Sequence, residues 1–484
     1  MRDERTTIAR NAILLVGLEF GSKALDLALA VVVANKLGAA SFGLLNFAYG
    51  VAGIAILLPN FGLDLLAVRD VAADQARGPS YLLNGALLKL LLSPLALGAV
   101  LVFALASGRG GAALIVLMLG ALVLLSDGFM RFVNAFFRAR QLMQYEVLGR
   151  ASLSVVNVAT GLAVVLGGHG LVTLLAVRAA VYLVGLGGAA ALLLTRGLFE
   201  VSWRPDPRAM WALARRAAPL AVLVTFTVIF VSIDTVMIGL MRGESEVGIY
   251  AAATRFTFVV LLLAGAYTEA VLPAMARRLG EGKSGEAMLR QSTRLLMVLA
   301  LPIVGWFTWY ANAWVGLLFS PAYAFSAVVL AILSWALLFD FMNHAGNRAL
   351  IAAGHEHAVL WIVGGAAGFN IAANALLIPR FGAAGAALTT VATEALVFGA
   401  QTAALARRGM RLSLGGLLRP LVAFVSMCLA LWAASGLGAP WYLGAPAAGL
   451  VYLGALLATH AIRSEELALV LALLRSPGHF VSRT

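Results

Sequence analysis

The chain has 484 residues, 62% of them hydrophobic and 12% charged, with a mean hydropathy of +0.95. A soluble protein has no use for so much apolar surface, so the composition specifies a polytopic membrane protein. The net charge of +13 would suit nucleic acid, but the charges gather in short loops between apolar runs, which excludes that partner.

Fourteen apolar runs follow in chain order, at residues 9–36, 42–68, 80–106, 112–137, 144–167, 170–195, 210–240, 246–274, 288–311, 324–352, 357–379, 382–406, 415–435 and 442–462. At about 20 residues per crossing they use roughly 280 residues. The rest makes helix ends and short loops, leaving no room for a large soluble domain. Long runs rich in Gly point to helices, because the strands of a membrane barrel alternate. The first run is too long for the core of a signal peptide and carries no clear cleavage site, so it reads as a retained helix. Cys428, the single cysteine, lies in an apolar run, which excludes an internal disulfide and a cysteine metal cluster. After the last run, SEELALVLALLRSPG (residues 464–478) has a capping Ser, acids in its first turn and an apolar stripe at Leu467, Val470, Leu471 and Leu474. It reads as a short amphipathic helix on the cytoplasmic surface.

Placing the N-terminus inside puts 26 of the 35 Lys and Arg in inside segments and only Lys36, Arg109, Arg242 and Arg380 outside. This positive-inside bias puts both termini in the cytoplasm and supports an even number of crossings. Anionic membrane lipids, not nucleic acid, are the expected partner of the basic loops.

The sequence echoes itself. GAASFG (residues 38–43) and GESEVG (residues 243–248) share G-x-x-x-x-G at an offset of 205, each between two apolar runs. GGHGL (167–171) and FGAAGAAL (381–388) share G-x-x-G between later pairs of runs. Two echoes in matching order predict an all-α fold with two six-helix lobes in a parallel repeat. The lobes are residues 1–200 and 201–410. Two extra helices fill 411–463, and 464–484 is a cytoplasmic tail. Transporters built from repeats place substrate between the halves, which favours transport over catalysis.

Five basic residues lie deep in the runs: Lys23, Lys89, Arg131, Arg178 and Arg255. Eight acids join them: Glu19, Asp26, Asp64, Asp127, Asp234, Glu269, Asp340 and Glu394. Each would cost about 2.5–3.5 kcal/mol facing lipid at mid-bilayer, so they face protein or a wet cavity. Their spacing agrees. Glu19, Lys23 and Asp26 share one helix face, as do Asp127, Arg131, Asn134 and Arg138. Asp340, His344 and Asn347 form a third stripe; Asn370 with Asn374, and Thr390 with Glu394, are i, i+4 pairs. The simplest account is a hydrated cavity lined from both halves. The bland reading is local ion pairing, at even weight for Glu19–Lys23 and Asp127–Arg131, and favoured for Asp64, Asp234 and Glu269 near helix ends. His344 has no second His or Cys at ligand spacing on its helix, so no metal or cofactor is expected. A track of five cations suits an anionic substrate.

Three stretches carry a family resemblance. ANKLGAASFGLLNFAYGVAGIAILLPNFGLDLLAVRDVA (34–72) resembles the start of a polysaccharide or O-antigen flippase of the multidrug/oligosaccharidyl-lipid/polysaccharide superfamily. SIDTVMIGLMRGESEVGIYAAATRF (232–256) is similar to that family's second-half signature, and LLIPRFGAAGAALTTVATE (376–394) to a later helix junction. The resemblance implies a transporter in the cell (inner) membrane that moves a polyprenyl-pyrophosphate-linked glycan from inner to outer leaflet by alternating access. It implies polysaccharide polymerase or assembly proteins as partners. Lys23, Arg131 and Arg255, with Lys89 and Arg178 behind them, would hold the pyrophosphate. Asp26, Asp127, Asp340 and Glu394 would couple transport to protons or sodium, or balance the cations. Prolines at 59, 219, 273 and 302 would supply bends. Open alternatives are a cation-coupled multidrug antiporter, which the acids keep in play, and a lipid II flippase. A membrane polymerase or ligase fits less well, because the outside loops are short and lack paired carboxylates. A scaffold leaves the thirteen deep ionisable groups unexplained.

Overall fold

The computed structural model describes residues 2–195, 204–281 and 283–461. Two compact units divide the chain after Gly248. The first holds α1 (Arg2–Ala55), α2 (Leu57–Asn60), α3 (Leu63–Ala73), α4 (Gly78–Ala106), α5 (Gly111–Ala139), α6 (Met143–Leu166), α7 (Leu171–Thr195) and α8 (Pro207–Met241). From α9 (Glu244–Gly280) the chain passes into the second unit. There follow α10 (Glu286–Trp309), α11 (Ala311–Leu318), α12 (Ser326–Ala352), α13 (Glu356–Ala406), α14 (Leu414–Gly436) and α15 (Trp441–Ala458). The expected all-α polytopic architecture is what forms.

Twelve of these helices, among the described residues, are long and apolar enough to cross a membrane. The expectation was fourteen. The difference arises because α1 and α13 each join two helices at a glycine and are counted once. α1 leaves helical geometry at Gly38 (φ 81°) and α13 at Gly382 (φ 57°). Both are backbone conformations that favour glycine. The run at 42–68 is not continuous either. Helix α1 stops at Ala55, and Gly62 (φ 85°) separates α2 from α3.

Local chemistry sets the entries to α4 and α8. The Asp74 carboxylate accepts from the Ala76 N–H in the 3-10 turn Gln75–Arg77 that leads into α4, and Pro79 stands in the first turn of α4. Asp206 accepts from the Arg208 N–H, and Pro207 opens α8. Capping oxygens satisfy orphan donors, and proline has no donor to lose there. In the first unit α5 packs on α7, and α1 on α5, α6 and α8. Leu63, Leu66, Phe132, Phe136, Phe137 and Leu213 build a core where α3, α5 and α8 meet. In the second unit α12 packs on α10 and α13, and α14 on α10 and α15. The amphipathic segment at 464–478 and the boundary at 200/201 lie outside the described residues. So do the side chains of Glu19, Pro219 and Glu269.

The repeated glycines have matching roles. Gly38 and Gly243 both take positive φ, at 81° and 91°. Their partners five residues on allow close backbone approach. A Cβ on Gly43 would strike the Glu244 carbonyl, and one on Gly248 would strike the Ala39 carbonyl. The two G-x-x-x-x-G motifs therefore pack against one another.

Candidate functional site

In the first unit Asp26, Asp64, Lys89, Asp127, Arg131 and Arg178 form one polar cluster with two kinds of member. Lys89 on α4 is the enclosed kind. It is 2% exposed, and its Nζ donates to Asn60 Oδ1 at the end of α2. The ammonium stands 5.4 Å and 5.7 Å from the ring centres of Phe129 and Phe132, within cation–π range. Two glycines make this enclosure possible. A Cβ on Gly85 would run into the Phe132 ring, and one on Gly128 into the Asn60 amide. The charges of Asp64, Asp127 and Arg131 also act on Lys89.

Arg131 is the accessible kind. It pairs with Asp127 one turn earlier on α5, at 2.7 Å, and remains 46% exposed against 30% for the carboxylate. Lys23 on α1 is exposed, with Asp26 half-buried three residues on. Arg178 on α7 is intermediate: Nε donates to Asn157 Oδ1 at 3.0 Å and Nη1 to the Tyr49 hydroxyl at 2.8 Å. Tyr182, one turn further along α7, lies within electrostatic reach of Asp26, Asp127 and Arg178 and joins the two halves of the cluster. Thus Asp26, Lys89, Asp127, Arg131 and Arg178 are brought into one neighbourhood.

The second unit holds Arg255, Asp340 and Glu394. Arg255 is half-buried on α9. Glu394 on α13 is buried, and its Oε2 accepts from Asn343 Nδ2 on α12 at 2.7 Å. His344 Nδ1 stands 2.9 Å from the Asp340 carbonyl oxygen and 3.3 Å from Asp340 Oδ1, so the contact runs one turn along α12. Asn374 donates to Asn370 Oδ1 at 2.9 Å, and Thr390 meets the Tyr250 hydroxyl at 3.4 Å.

Sequence reasoning missed Tyr49, Asn60, Asn157, Tyr182 and Asn343. Each is a lone polar group in or beside an apolar run, and that was the signal available. It also missed two ionic nodes near helix ends. Asp70 on α3 accepts from Tyr81 at 2.6 Å, pairs with Arg216 of α8 at 2.6 Å and with Arg69 at 3.0 Å. Burial raises the Asp70 pKa, but these hydrogen bonds and positive charges outweigh it and hold the carboxyl below the usual carboxylate range. Arg109, between α4 and α5, pairs with Glu244 at 3.1 Å and donates to the Gly239 carbonyl at 2.6 Å. Its guanidinium lies 4.2 Å from the centre of the Phe47 ring.

The model of a family described as polysaccharide biosynthesis protein matches residues 8–278, and the MatE model matches residues 219–376. An uncharacterized membrane protein of Methanocaldococcus jannaschii, MJ1068, is 33% identical over 95 residues, 20% of this chain and 19% of that protein. The probable low-salt glycan biosynthesis flippase Agl15 of Haloferax volcanii is 24% identical over 165 residues, 34% of this chain and 35% of that one. The chain thus matches about a fifth and about a third of these relatives' lengths. Among solved structures, the lipid II flippase MurJ in an inward closed conformation has a TM-score of 0.73 at 12% identity, covering 92% of this chain and 98% of that one. An inward-facing multidrug resistance MATE family transporter of the MOP superfamily has a TM-score of 0.67 at 15% identity, covering 80% and 95%. At these identities the likeness is one of fold.

Proposed function

We propose that this chain, which belongs to the polysaccharide biosynthesis protein family, is a flippase that carries a lipid-linked oligosaccharide from the inner to the outer leaflet. The family model spans more than half of the chain, residues 8–278. The fold is that of MurJ and MATE transporters, and one relative is a probable glycan biosynthesis flippase. The observation that supports the reading is the mixed cluster of charges in the first unit, where Arg131 stays half-exposed beside its paired carboxylate.

In this reading the substrate's pyrophosphate meets Lys23 and Arg131 first. A charge-assisted contact away from bulk water is strong, and Arg binds phosphate through two parallel hydrogen bonds. Arg178 is held by Asn157 and Tyr49 and lends its charge from the wall. Lys89 is enclosed and contributes potential, not contact. Within the second unit, Arg255 is the cation this reading assigns to substrate. Asp26, Asp127, Asp340 and Glu394 couple transport to protons or sodium. The glycan crosses through a hydrated interior while the polyprenyl tail stays in lipid.

The test is complementation of cells that lack their own O-antigen flippase, with surface glycan and its lipid-linked precursor both measured. Removing one contact to an ionised group costs about 1.5–3 kcal/mol, so Lys23→Ala and Arg131→Ala should each lower export about ten- to a hundredfold at normal membrane abundance. Undiminished export by both variants would overturn the site. The MatE match over residues 219–376 favours a second reading, a cation-coupled multidrug antiporter. Proton- or sodium-driven efflux of cationic dyes, without glycan export, would establish it.

A further inference from the structure

Residues 358–362 near the start of α13 and 400–408 at its end line one groove of about 600 Å³. Some forty residues of straight helix would hold these ends about 60 Å apart, so the halves of α13 fold back on each other. The turn is the kink at Gly382. It is tight there, because a Cβ on Gly385 would strike the backbone of Leu377. The halves then diverge, and the groove lies between them at the open end.

Its chemistry is graded along its length. Ala358, Ala400, Ala403 and Ala404 form an apolar floor with Ile362. Trp361 stands at the edge, 76% exposed. Arg407 and Arg408 close the mouth, both exposed. The Arg408 guanidinium is fixed over the last turn, donating from Nη1 to the Ala404 carbonyl at 2.6 Å. The N-terminus of α13 comes to the same mouth with no side-chain cap on its N–H groups. Glu356 and His357 are exposed there too, so the formal charge, with His neutral, is two arginines against one carboxylate. None of these residues belongs to the polar clusters described above.

We propose that this groove binds one anionic phospholipid from the leaflet that the basic loops face. The phosphate sits on Arg407 and Arg408, Trp361 lies at the interfacial level, and an acyl chain runs along the alanine floor. Four general rules support this occupant. Tryptophan concentrates at the membrane–water interface. Basic pockets between membrane helices on the cytoplasmic side take anionic head groups. The free N–H groups of a helix N-terminus favour an anion. Small side chains let a chain approach the helix backbone where larger ones would fill the space. The site does not depend on the role of the charged cluster in the first unit.

The test uses the full chain, purified in neutral detergent and stripped of lipid. Phosphatidylglycerol, phosphatidylcholine and polyprenyl phosphate are offered at equal concentration, and retained adducts are counted by native mass spectrometry. One arginine near the membrane surface is worth about five-fold in affinity for an anionic lipid. Wild type should therefore retain phosphatidylglycerol over phosphatidylcholine by about five-fold or more. Arg407→Gln should cut that preference by about five-fold, and Arg407→Lys should restore most of it. Ala403→Leu, at an exposed floor position, should reduce retention of both glycerolipids. Melting curves confirm that each variant is folded. Equal retention of the two glycerolipids by wild type, or an unchanged preference in Arg407→Gln, would overturn the proposal. Polyprenyl phosphate retained ahead of phosphatidylglycerol, with the same sensitivity to Arg407, would give the groove to a different lipid and overturn it as well.

Discussion

Replacing Asp70 by asparagine removes the one negative charge from a node in which Tyr81, Arg69 and Arg216 all meet a single carboxylate. The Arg216 contact is 2.6 Å, with the carboxylate side chain 8% exposed and the guanidinium 43% exposed. Two charges about 4 Å apart at an effective dielectric near 20 interact by about 4 kcal/mol. Solvent on the guanidinium side screens much of this, so a coupling of about 1–2 kcal/mol is expected. A nearby pair serves as control. Arg77 and Asp74 are 3.0 Å apart but 53% and 47% exposed, and pairs of that kind contribute about 0–1 kcal/mol. The assay is a double-mutant cycle, Asp70→Asn with Arg216→Gln, read by unfolding in detergent and repeated for Asp74 and Arg77. The amide oxygen introduced by Asp70→Asn would still accept from Tyr81, so the cycle isolates the charge pair. The Asp70 carboxyl is held low in the folded chain. Its contribution is complete above the unfolded carboxylate value near pH 4 and is lost as pH falls through the lower, folded value. Asp70→Asn should flatten that acid limb. Equal coupling in the two cycles, or an acid limb unchanged by Asp70→Asn, would refute the reasoning.

Two further outcomes rest on equally local geometry. Gly128→Ala puts a methyl group into the Asn60 amide and should destabilise by about 1–3 kcal/mol, whereas Gly98→Ala, with nothing within 4 Å, should raise the melting point through a gain of up to about 1 kcal/mol; equal effects would show that the Lys89 enclosure is not tightly packed. Glu394→Gln keeps both acceptors for Asn343 Nδ2, the side-chain oxygen and the residue-394 carbonyl, and should melt close to wild type, while Glu394→Leu removes the side-chain acceptor and should cost about 1 kcal/mol more; a transport assay on the Gln variant then reports on ion coupling with the fold intact.

Much of the fold was legible because bilayer thickness and hydropathy dictate it. The apolar runs became helices, and the repeated G-x-x-x-x-G motifs marked positions where the backbone needs Gly. Gly38 and Gly243 carry the positive φ, and Gly43 and Gly248 the close approach. The break at 56–62 was less visible. Apolar residues run straight through it, and only Pro59, Asn60 and Gly62 signal that the helix stops. Gly38 and Gly382 were legible for the opposite reason: each falls at the junction of two apolar runs, and at each the backbone leaves helical geometry.

The charged residues show where sequence reasoning reaches its limit. Spacing along one helix reports which side chains share a face, and the Asp127–Arg131 and Asp340–His344 stripes do form contacts one turn apart. Spacing does not report what a neighbouring helix places opposite. Lys89 and Arg131 look equivalent as deep cations, yet Phe129, Phe132 and Asn60 close over one and leave the other half in the open. The same holds for Glu394, whose partner Asn343 comes from α12 and not from its own helix. A buried charge is stable only where groups from other elements replace its water. The residues that decide its accessibility are therefore the small and uncharged ones around it. For Lys89 these are Gly85 and Gly128, whose missing side chains admit the ring and the amide that enclose it.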